Sequence, residues 1–220
     1  MKICFIAKKE KIGVKEAISF SKKFTNNIDI FFGNPGDPFP KKIAKNKYDI
    51  LISYISPWII PPQVLSNTRM WNINFHPGSP DYPGIGCFNF AIFDSAEKFG
   101  ATAHIMEPKV DTGKIIDVEY FSIDAEKENV ETLSRKTYNA LLSSYMRIFE
   151  YVFKNQKLPE CNERWKRKPY KRVDLEKLAT IDPNMPKNQI DNIIRATYLK
   201  NKPAPFIKLY GLKFEYNPER

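Results

Sequence analysis

The sequence predicts an α/β protein with a doubly wound, largely parallel sheet, followed by a short C-terminal helix and β-hairpin. Up to residue 75, short apolar runs alternate with helix-like stretches, a pattern typical of strands joined by covering helices. Connectors rich in proline and glycine, such as residues 33–38, cannot continue a helix and separate these runs. With 42% hydrophobic residues, the 220-residue chain can bury one sizeable core.

Each predicted element follows from its own apolar pattern. The first four strands are predicted at the short apolar runs of residues 3–7, 28–32, 50–55 and 70–75. A helix is predicted at residues 14–24, after the first strand. Prolines 57, 61 and 62 turn the chain after the third strand, at the edge where open α/β sheets bind ligands. The rest of the chain predicts helices at 88–97, 130–153 and 187–198 and strands at 101–106, 114–121, 206–209 and 212–216.

The composition shifts between residues 154 and 172, where lysine and arginine far outnumber glutamate. We therefore predict a main domain at residues 1–155 and an extension at residues 156–220, made of this basic segment, a helix and a β-hairpin. A two-stranded hairpin is marginally stable alone, so it is expected to pack on the domain or on a second subunit, which would give a homodimer. The stretch from Arg164 to Arg172 is interpreted as exposed, solvated chain.

The composition argues against several classes of protein. No stretch approaches the roughly 18 apolar residues of a membrane span, and the N-terminal apolar run is too short for a signal peptide, so a cytoplasmic protein is expected. Three cysteines without a C-x-x-C pair, and two histidines, argue against a disulfide framework and against a metal site. The net charge of +10 favours anionic partners but does not distinguish nucleic acid, a membrane surface and a phosphorylated or carboxylated small molecule.

The most informative pattern is a set of three polar residues, Asn74, His76 and Asp111. Asn74 and His76 are two positions apart at the end of an apolar run, so an extended backbone directs both side chains to one cleft. Acyl transfer to an amine needs a hydrogen-bond donor to the developing oxyanion, a group that moves the proton of the amine, and a group that orients this proton-transfer group. An amide, an imidazole and a carboxylate can supply these three functions. Such residues also cap turns, and that alternative stays open here. Because Cys87 is not paired with a base, direct transfer is favoured over a covalent intermediate.

These residues are part of a longer ordered pattern. Asn74-x-His76-Pro77, the loop from Ser79-Pro80 to Pro83-Gly84 and the run from Val110 to Ile116 resemble the formyltransferases that use N10-formyltetrahydrofolate. The resemblance covers residues 1 to about 125 and implies a Rossmann-like fold, with residues 1–155 as the formyltransferase catalytic domain. It also implies that Asn74, His76 and Asp111 are catalytic and that N10-formyltetrahydrofolate is the co-substrate.

The resemblance further implies which residues contact the two substrates. The pterin would lie against the main chain, so the Trp58 side chain is equally interpreted as a packing residue. The residues predicted to bind folate are Trp58, Ile59, Ile60, Glu107, Val110 and Asp111. The residues predicted to bind the amine substrate are Lys8, Lys9, Gly78, Ser79 and Tyr82. Lys8 and Lys9 are diphosphate candidates, although a solvated loop is the more common role for such residues. His104 alternates with two other strand residues and is interpreted as structural.

Departures from individual subfamilies favour a sugar substrate. Residues 78–86 replace the Ser-Leu-Leu-Pro loop of methionyl-tRNA formyltransferases, and the glycine-rich phosphate loop of the purine-pathway enzyme is absent after the first strand. The run from His76 to Gly86, the segment Trp165 to Pro169 and the triplet Arg195-Ala196-Thr197 resemble sugar N-formyltransferases.

That resemblance implies formylation of a nucleotide-linked amino-dideoxyhexose, with dTDP-4-amino-4,6-dideoxyglucose as the expected substrate. The product would serve surface polysaccharide, such as the O-antigen of lipopolysaccharide. The expected partners are therefore folate and a nucleotide sugar, with neither nucleic acid nor membrane among them. The alternatives are a methionyl-tRNA formyltransferase, a formyl-folate hydrolase and a basic nucleic-acid-binding module.

Overall fold

The computed structural model describes residues 1–218, which form a six-stranded sheet and a separate two-stranded hairpin. The strands lie in the order β2, β1, β3, β4, β5, β6. Strands β1 to β4 are parallel, and β5 and β6 continue the sheet in antiparallel pairing. Their bounds are β1 (Ile3–Lys8), β2 (Ile28–Gly33), β3 (Ile50–Tyr54), β4 (Trp71–His76), β5 (Lys98–Ile105) and β6 (Ile115–Ser122). The α/β class and the largely parallel sheet are confirmed.

Helices connect and cover these strands. They are α1 (Val14–Lys22), α2 (Lys41–Lys45), α3 (Pro62–Asn67), α4 (Cys87–Phe93), α5 (Val130–Asn155), α6 (Arg172–Leu178) and α7 (Lys187–Thr197). The longest, α5, begins at a capping box in which the Asn129 side chain accepts the Thr132 N–H at 2.9 Å. Within residues 1–218, no helix is long and apolar enough to cross a membrane.

An aromatic cluster fixes the central strands. Tyr145 of α5 is fully buried, and its ring centroid lies 4.9–5.8 Å from those of Phe75, Tyr54 and Phe5, on β4, β3 and β1. Rings at these separations interact favourably beyond their buried area. The three strands that carry the cluster end at the same edge of the sheet, so the cluster gives that edge a rigid base.

The boundaries of the predicted elements agree with the structure to within a few residues, with one larger difference. The predicted helix at 88–97 ends at Phe93, and β5 begins already at Lys98, because Ser95 has a left-handed backbone (φ 53°) that stops the helix. The short helices α2, α3 and α6 were not predicted. Each has only five to seven residues, too few to display a helical period in the sequence.

The segment after α5 is not the free solvated chain that the sequence analysis expected. Its basic side chains are mostly exposed, but its backbone pairs with the loop after β4. The Lys166 N–H donates to the Pro80 carbonyl at 3.0 Å, and the Tyr170 N–H donates to the Pro83 carbonyl at 2.9 Å. The Tyr170 ring also stacks on Phe90 at 3.5 Å. Backbone pairing of this kind is invisible in a composition that only reports charge.

Helix α7 packs on helices of the main domain, and the last two strands pair with each other. Helix α7 contacts α4, where the Asn89 amide donates to the Ala196 carbonyl at 2.7 Å. Strands β7 (Phe206–Leu209) and β8 (Leu212–Glu215) form the predicted hairpin. The boundary at residue 155 stays a prediction.

Candidate active site

The carboxyl end of β4 presents Asn74 and His76 to one cavity. The two side chains point to the same side of the extended strand, as their spacing predicts, and both line a cavity of about 310 Å³. His76 is 6% exposed, so most of its imidazole is withdrawn from solvent. This is the crevice at the carboxyl ends of parallel strands in which α/β proteins commonly bind ligands.

Asp111 joins the same cavity from the loop between β5 and β6. Its backbone is left-handed (φ 48°), which turns the carboxylate inward, and the residue is 4% exposed. The carboxylate Oδ2 lies 3.3 Å from His76 Nδ1 and accepts the Gly84 N–H at 2.8 Å, while Oδ1 lies 3.2 Å from His104 Nε2. The structure thus brings together the three residues that the sequence singled out.

The environment of Asp111 favours its ionised form. Burial alone would raise the pKa of this carboxyl group. The charge of His76 opposes that effect, as do the hydrogen bond and charge of His104 and the Gly84 N–H, and together they hold the pKa well below its usual range. Asp111 is therefore a buried anion, positioned to stabilise positive charge on the two imidazoles that face it.

His104 is the functional candidate that sequence reasoning missed. It lies on β5 directly opposite Asn74, and its Nε2 is 3.0 Å from the Asn74 amide nitrogen and 3.2 Å from Asp111 Oδ1. The sequence analysis interpreted it as structural because it alternates with Thr102 and Met106 along a strand. Antiparallel register, which the sequence does not reveal, is what places it between Asn74 and Asp111.

Both nitrogens of His104 face hydrogen-bond acceptors. Nδ1 lies 2.8 Å from the Ile105 carbonyl oxygen, and Nε2 faces the Asp111 carboxylate. A proton on each nitrogen satisfies both acceptors. A protonated Nε2 favours the Asn74 amide reversed relative to the structure, with its oxygen toward His104 and its N–H groups toward the cavity. His104 can therefore set the orientation of Asn74.

Two glycines are required by how closely this site is packed. A Cβ atom on Gly78 would lie 2.5 Å from His76 Nε2, so only glycine leaves room for the imidazole. A Cβ atom on Gly113 would lie 1.9 Å from the carbonyl oxygen of Ile105, the oxygen that His104 Nδ1 faces. Both contacts are tighter than real side chains permit, so these glycines set the positions of the two imidazoles.

Trp165, from the segment after α5, packs against the two imidazoles of the site. Its indole N–H donates to the Gly113 carbonyl at 2.8 Å, and its ring lies edge-on to His104 and His76, with centroids at 5.1 Å and 6.0 Å. The segment that was expected to be solvated thus contacts the histidines of the site, although Trp165 does not line the cavity. Trp165 itself was noted only as part of a pattern that resembles sugar N-formyltransferases.

The residues predicted to bind folate line the same cavity. They are Trp58, Ile59, Ile60, Glu107, Val110 and Asp111. The Trp58 indole is held in place because its N–H donates to the Asp37 carbonyl at 2.9 Å and its ring packs against Gly33. Ile59 is 74% exposed, which leaves an apolar surface beside the polar triad. An apolar wall next to hydrogen-bonding groups fits a flat, partly polar heterocycle such as a pterin.

The residues predicted to bind the amine substrate are divided by the structure. Lys8 lines the cavity, whereas Lys9 is exposed and lies outside its lining. Ser79 is fully buried, and the Tyr82 ring packs against Phe99 in a neighbouring core cluster, with centroids 5.8 Å apart. Gly78, Ser79 and Tyr82 belong to the loop after β4 and do not line the cavity, and the Tyr82 carbonyl oxygen lies 3.3 Å from His76 Nε2. Substrate contacts by Lys8, Lys9, Gly78, Ser79 and Tyr82 stay predictions.

Cys87 is poorly suited to form a covalent intermediate. It lines the cavity, but its thiol donates to the Pro77 carbonyl at 3.1 Å, and burial raises the pKa of this thiol to about 12. A thiol of that kind is not ionised near neutral pH and is a poor nucleophile. In the part of the chain that the structure describes, no group of three or more histidine, cysteine or carboxylate side chains is arranged to hold a metal ion.

Comparison with known proteins assigns the chain to a family. A family model described as formyl transferase matches residues 39–148, which is half of the chain and includes Asn74, His76 and Asp111. The chain belongs to the formyl transferase family. The predicted formyltransferase enzyme is thereby confirmed.

The relatives of this formyltransferase act on different amines. It is 26% identical over 204 residues to a GDP-perosamine N-formyltransferase from Brucella melitensis, which covers 91% of this chain and 73% of that protein. It is 33% identical over 101 residues to a methionyl-tRNA formyltransferase from Chlorobium chlorochromatii, which covers 45% of this chain and 32% of that protein. The first likeness is long enough to reach into the C-terminal extension, and the second covers less than half of the chain.

The fold of this formyltransferase also matches solved structures. An N-formyltransferase from Helicobacter canadensis, in complex with folinic acid and dTDP-3-aminofucose, superposes with a TM-score of 0.74. The match covers 97% of this chain and 86% of that chain, at 17% sequence identity. At this identity the likeness shows a shared fold, extension included.

Proposed function

We propose that this formyltransferase transfers a formyl group from N10-formyltetrahydrofolate to the amine of a nucleotide-linked amino-dideoxyhexose. The observation that carries the proposal is the buried Asp111 anion, 3.3 Å from His76, in a cavity that Asn74 also lines. Amide, imidazole and carboxylate in this arrangement supply the groups that direct acyl transfer to an amine requires. Membership of the formyl transferase family selects the formyl group as the acyl unit.

The folate supplies the formyl group, and the residues of the site handle charge and protons. As the sugar amine attacks the formyl carbon, the carbonyl oxygen becomes an oxyanion. The Asn74 amide N–H and the His76 imidazolium donate hydrogen bonds to it. Preorganised donors of this kind, which need no reorganisation as charge develops, contribute strongly to catalysis. Asp111 holds His76 by its Nδ1, compensates its positive charge and helps to remove the proton that the attacking amine must lose. Collapse of the oxyanion breaks the bond between the formyl carbon and N10. The products are the N-formyl sugar and tetrahydrofolate, whose N10 takes up a proton in place of the one lost by the amine.

His104 has a positioning role in this proposal. In the structure the Asn74 amide nitrogen lies 3.0 Å from His104 Nε2; a protonated Nε2 favours the reversed amide, with its oxygen toward His104 and its nitrogen toward the cavity where the oxyanion forms. An amide in the opposite orientation would present its oxygen and repel the developing negative charge. His104 therefore acts through Asn74 and Asp111 and need not touch the substrate.

A nucleotide sugar is the proposed amine substrate because of what the C-terminal extension resembles. The likeness to the GDP-perosamine enzyme spans 91% of the chain, whereas the likeness to the methionyl-tRNA enzyme spans 45%. Trp165, whose ring packs against His104 and His76, lies in that extension. The sugar and its nucleotide stay predictions, with dTDP-4-amino-4,6-dideoxyglucose and GDP-perosamine as the first to test. A cytoplasmic location and a role in O-antigen synthesis also stay predictions.

The same proposal includes a homodimer through the hairpin β7–β8. Its residues expose large apolar side chains: Leu209 is 41% exposed, Leu212 is 62% exposed and Phe214 is 50% exposed. Isolated two-stranded hairpins are marginally stable, and a second copy of the hairpin would cover this surface symmetrically. Light scattering at increasing protein concentration tests this part: a monomer at all concentrations would contradict it.

The activity is tested with a panel of acceptors. Folate-dependent product is expected with at least one of GDP-perosamine, dTDP-3-aminofucose and dTDP-4-amino-4,6-dideoxyglucose. Formylation of methionyl-tRNA, without any sugar product, would replace the proposal by its first alternative. Release of formate from the folate at the same rate with and without an amino sugar would indicate a hydrolase.

A further inference from the structure

A buried serine interrupts an otherwise apolar and aromatic strand beside Asn74. Every residue of β3 is buried, and Ser53 is 4% exposed. Ser53 pairs in register with Asn74 on β4, which in turn pairs with His104 on β5. Residues in register on neighbouring strands, which lie about 4.8 Å apart, direct their side chains to the same face of the sheet. Ser53, Asn74 and His104 therefore form one polar row, and all three line the active-site cavity.

The hydroxyl group of Ser53 has no hydrogen-bond partner within residues 1–218. On the side away from Asn74, Ser53 pairs with Ile6 on β1, whose side chain offers no acceptor. The other buried serine and threonine hydroxyls of the described chain each have a partner; they belong to Ser21, Ser79, Thr102, Thr137, Ser144 and Thr197. Buried polar atoms are nearly always hydrogen-bonded, and one without a partner is unfavourable. Ser53 therefore differs from the remaining buried hydroxyls in needing a partner from outside the chain.

The cavity gives a bound molecule access to this hydroxyl. Within residues 1–218, the Tyr54 hydroxyl oxygen and Asn72 Oδ1 are also buried without a partner, but both atoms are sealed from solvent. The Ser53 hydroxyl oxygen is not among these sealed atoms, and Ser53 lines the cavity. A hydroxyl in this position can donate to a ligand without breaking any hydrogen bond within the described chain.

The place of Ser53 in the row selects the reacting end of the folate. In the proposed reaction the formyl oxygen accepts a hydrogen bond from the Asn74 amide, and Ser53 lies one strand away from Asn74. The wall predicted to hold the pterin includes residues 58–60, which follow only after β3 has ended at Tyr54. The Ser53 hydroxyl thus faces the formyl group rather than the pterin ring.

We propose that the Ser53 hydroxyl donates a hydrogen bond to the formyl oxygen and stabilises the oxyanion together with Asn74 and His76. The inference rests on the proposed function, which supplies the formyl group. A donor that is fixed in a buried site before the reaction strengthens its hydrogen bond as the oxygen becomes negative. The hydroxyl proton stays on Ser53 throughout, so the proton balance of the transfer is unchanged. Ser53 is then a catalytic residue beside Asn74, His76 and Asp111.

Infrared spectroscopy of the bound co-substrate tests the contact directly. With N10-formyltetrahydrofolate that carries carbon-13 in its formyl group, isotope-difference spectra report the stretching frequency of the formyl carbonyl. A hydrogen bond lowers this frequency, so the band is expected at a higher frequency in Ser53→Ala than in the wild type. The matched control is Ser144→Ala, which removes a buried hydroxyl that donates to Asp117 at 2.6 Å and lies outside the cavity lining. Its band should match that of the wild type, and an unchanged band in Ser53→Ala would overturn the assignment.

The infrared measurement requires folate binding but no acceptor. A wild type that shows the Ser53-dependent band and formylates no amino sugar would contradict the proposed acceptor alone. A wild type that formylates a sugar, with a band that does not depend on Ser53, would contradict the present assignment alone.

Kinetics test whether the contact supports catalysis. With an acceptor that the wild type formylates, Ser53→Ala is expected to lower kcat about 10- to 100-fold, the loss of one oxyanion donor. Tetrahydrofolate carries no formyl group, so its Kd should change by less than about twofold. An unchanged kcat would refute the catalytic role. A tenfold rise in the Kd for tetrahydrofolate would place the hydroxyl on the pterin, and an effect on the KM of the amine alone would place it on the sugar; either result would overturn the assignment.

The stability of the free protein separates this role from a structural one. Because the Ser53 hydroxyl has no partner in the described chain, Ser53→Ala should unfold at the same temperature as the wild type or at a higher one. Ser144→Ala loses a hydrogen bond to a carboxylate and should unfold at a lower temperature. A lower unfolding temperature for Ser53→Ala together with a normal kcat would show that this hydroxyl is bonded within the protein and would refute the proposal.

Discussion

Replacement of His104 tests whether a residue that need not touch substrate positions the site. His104→Ala removes the contact of Nε2 with Asp111 Oδ1 at 3.2 Å and the contact of Nδ1 with the Ile105 carbonyl at 2.8 Å. Because His104 is 2% exposed, water cannot easily replace these contacts. In this variant the Asp111 carboxylate keeps its contacts with His76 Nδ1 and the Gly84 N–H, but its Oδ1 atom loses its partner.

The magnitude follows from those contacts. A buried hydrogen bond to a charged group contributes about 1.5–3 kcal/mol, and the loss of one partner of a buried ion pair costs about 3–5 kcal/mol. Since Asp111 retains two donors, the lower end applies, and His104→Ala should lower the free energy of unfolding by about 3 kcal/mol. His104→Gln keeps an amide that can donate to Asp111, so about 1 kcal/mol is expected.

The assay combines urea unfolding with steady-state kinetics. For His104→Ala, kcat should fall about 10- to 100-fold while the KM for folate changes by less than about threefold, because a misoriented Asn74 weakens transition-state binding alone. His104→Gln should recover part of this loss. A variant that loses stability but keeps the wild-type kcat would show that His104 is only structural and refute the positioning role.

Three other perturbations have defined outcomes. Gly78→Ala should lower kcat at least about 100-fold with little change in the overall fold, because the new Cβ atom would lie 2.5 Å from His76 Nε2. Steady-state kinetics and circular dichroism check this, and a near-normal kcat would contradict it. Trp165→Phe should lower the free energy of unfolding by about 1 kcal/mol, because the hydrogen bond to the Gly113 carbonyl is lost. Trp165→Ala should lower it by about 3–5 kcal/mol, because the ring is lost as well. Urea unfolding measures both values, and equal losses would mean that the ring itself contributes nothing. Because the folded pKa of Asp111 is depressed, its ionised form contributes stability that is present above about pH 4 and is lost as the pH falls toward the folded pKa. The free energy of unfolding of the wild type, relative to that of Asp111→Asn, should therefore decrease between about pH 5 and pH 3. A pH-independent difference would contradict that account.

The fold was largely predictable because its strands carry strong apolar patterns. Strand β1 is buried at five of its six positions, and such a run is recognisable without any partner. Helix α5 shows a helical period over 26 residues. The short helices α2 and α3 lacked this advantage. Their positions depend on packing against neighbours that a local pattern does not reveal.

The site was predictable where residues are close in sequence and hidden where they meet only through tertiary contacts. Asn74 and His76 share one strand, so their common direction follows from the alternation of side chains. His104 reaches them through the antiparallel register of β5, and Trp165 through the backbone pairing of its segment with the loop after β4. For that reason the sequence predicted a structural role for His104 and gave no role for Trp165 beyond its place in a pattern that resembles sugar N-formyltransferases.

The central claim is transfer of the folate formyl group to a nucleotide-linked sugar amine by Asn74, His76 and Asp111. The most direct measurement incubates the enzyme with isotope-labelled N10-formyltetrahydrofolate and the acceptor panel, followed by mass spectrometry of the sugars. The account predicts labelled N-formyl sugar from the wild type, and a rate lower by about 1,000-fold in His76→Ala despite retained folinic acid binding. Labelled product at a similar rate in His76→Ala, or no labelled sugar from the wild type with any acceptor, would contradict it.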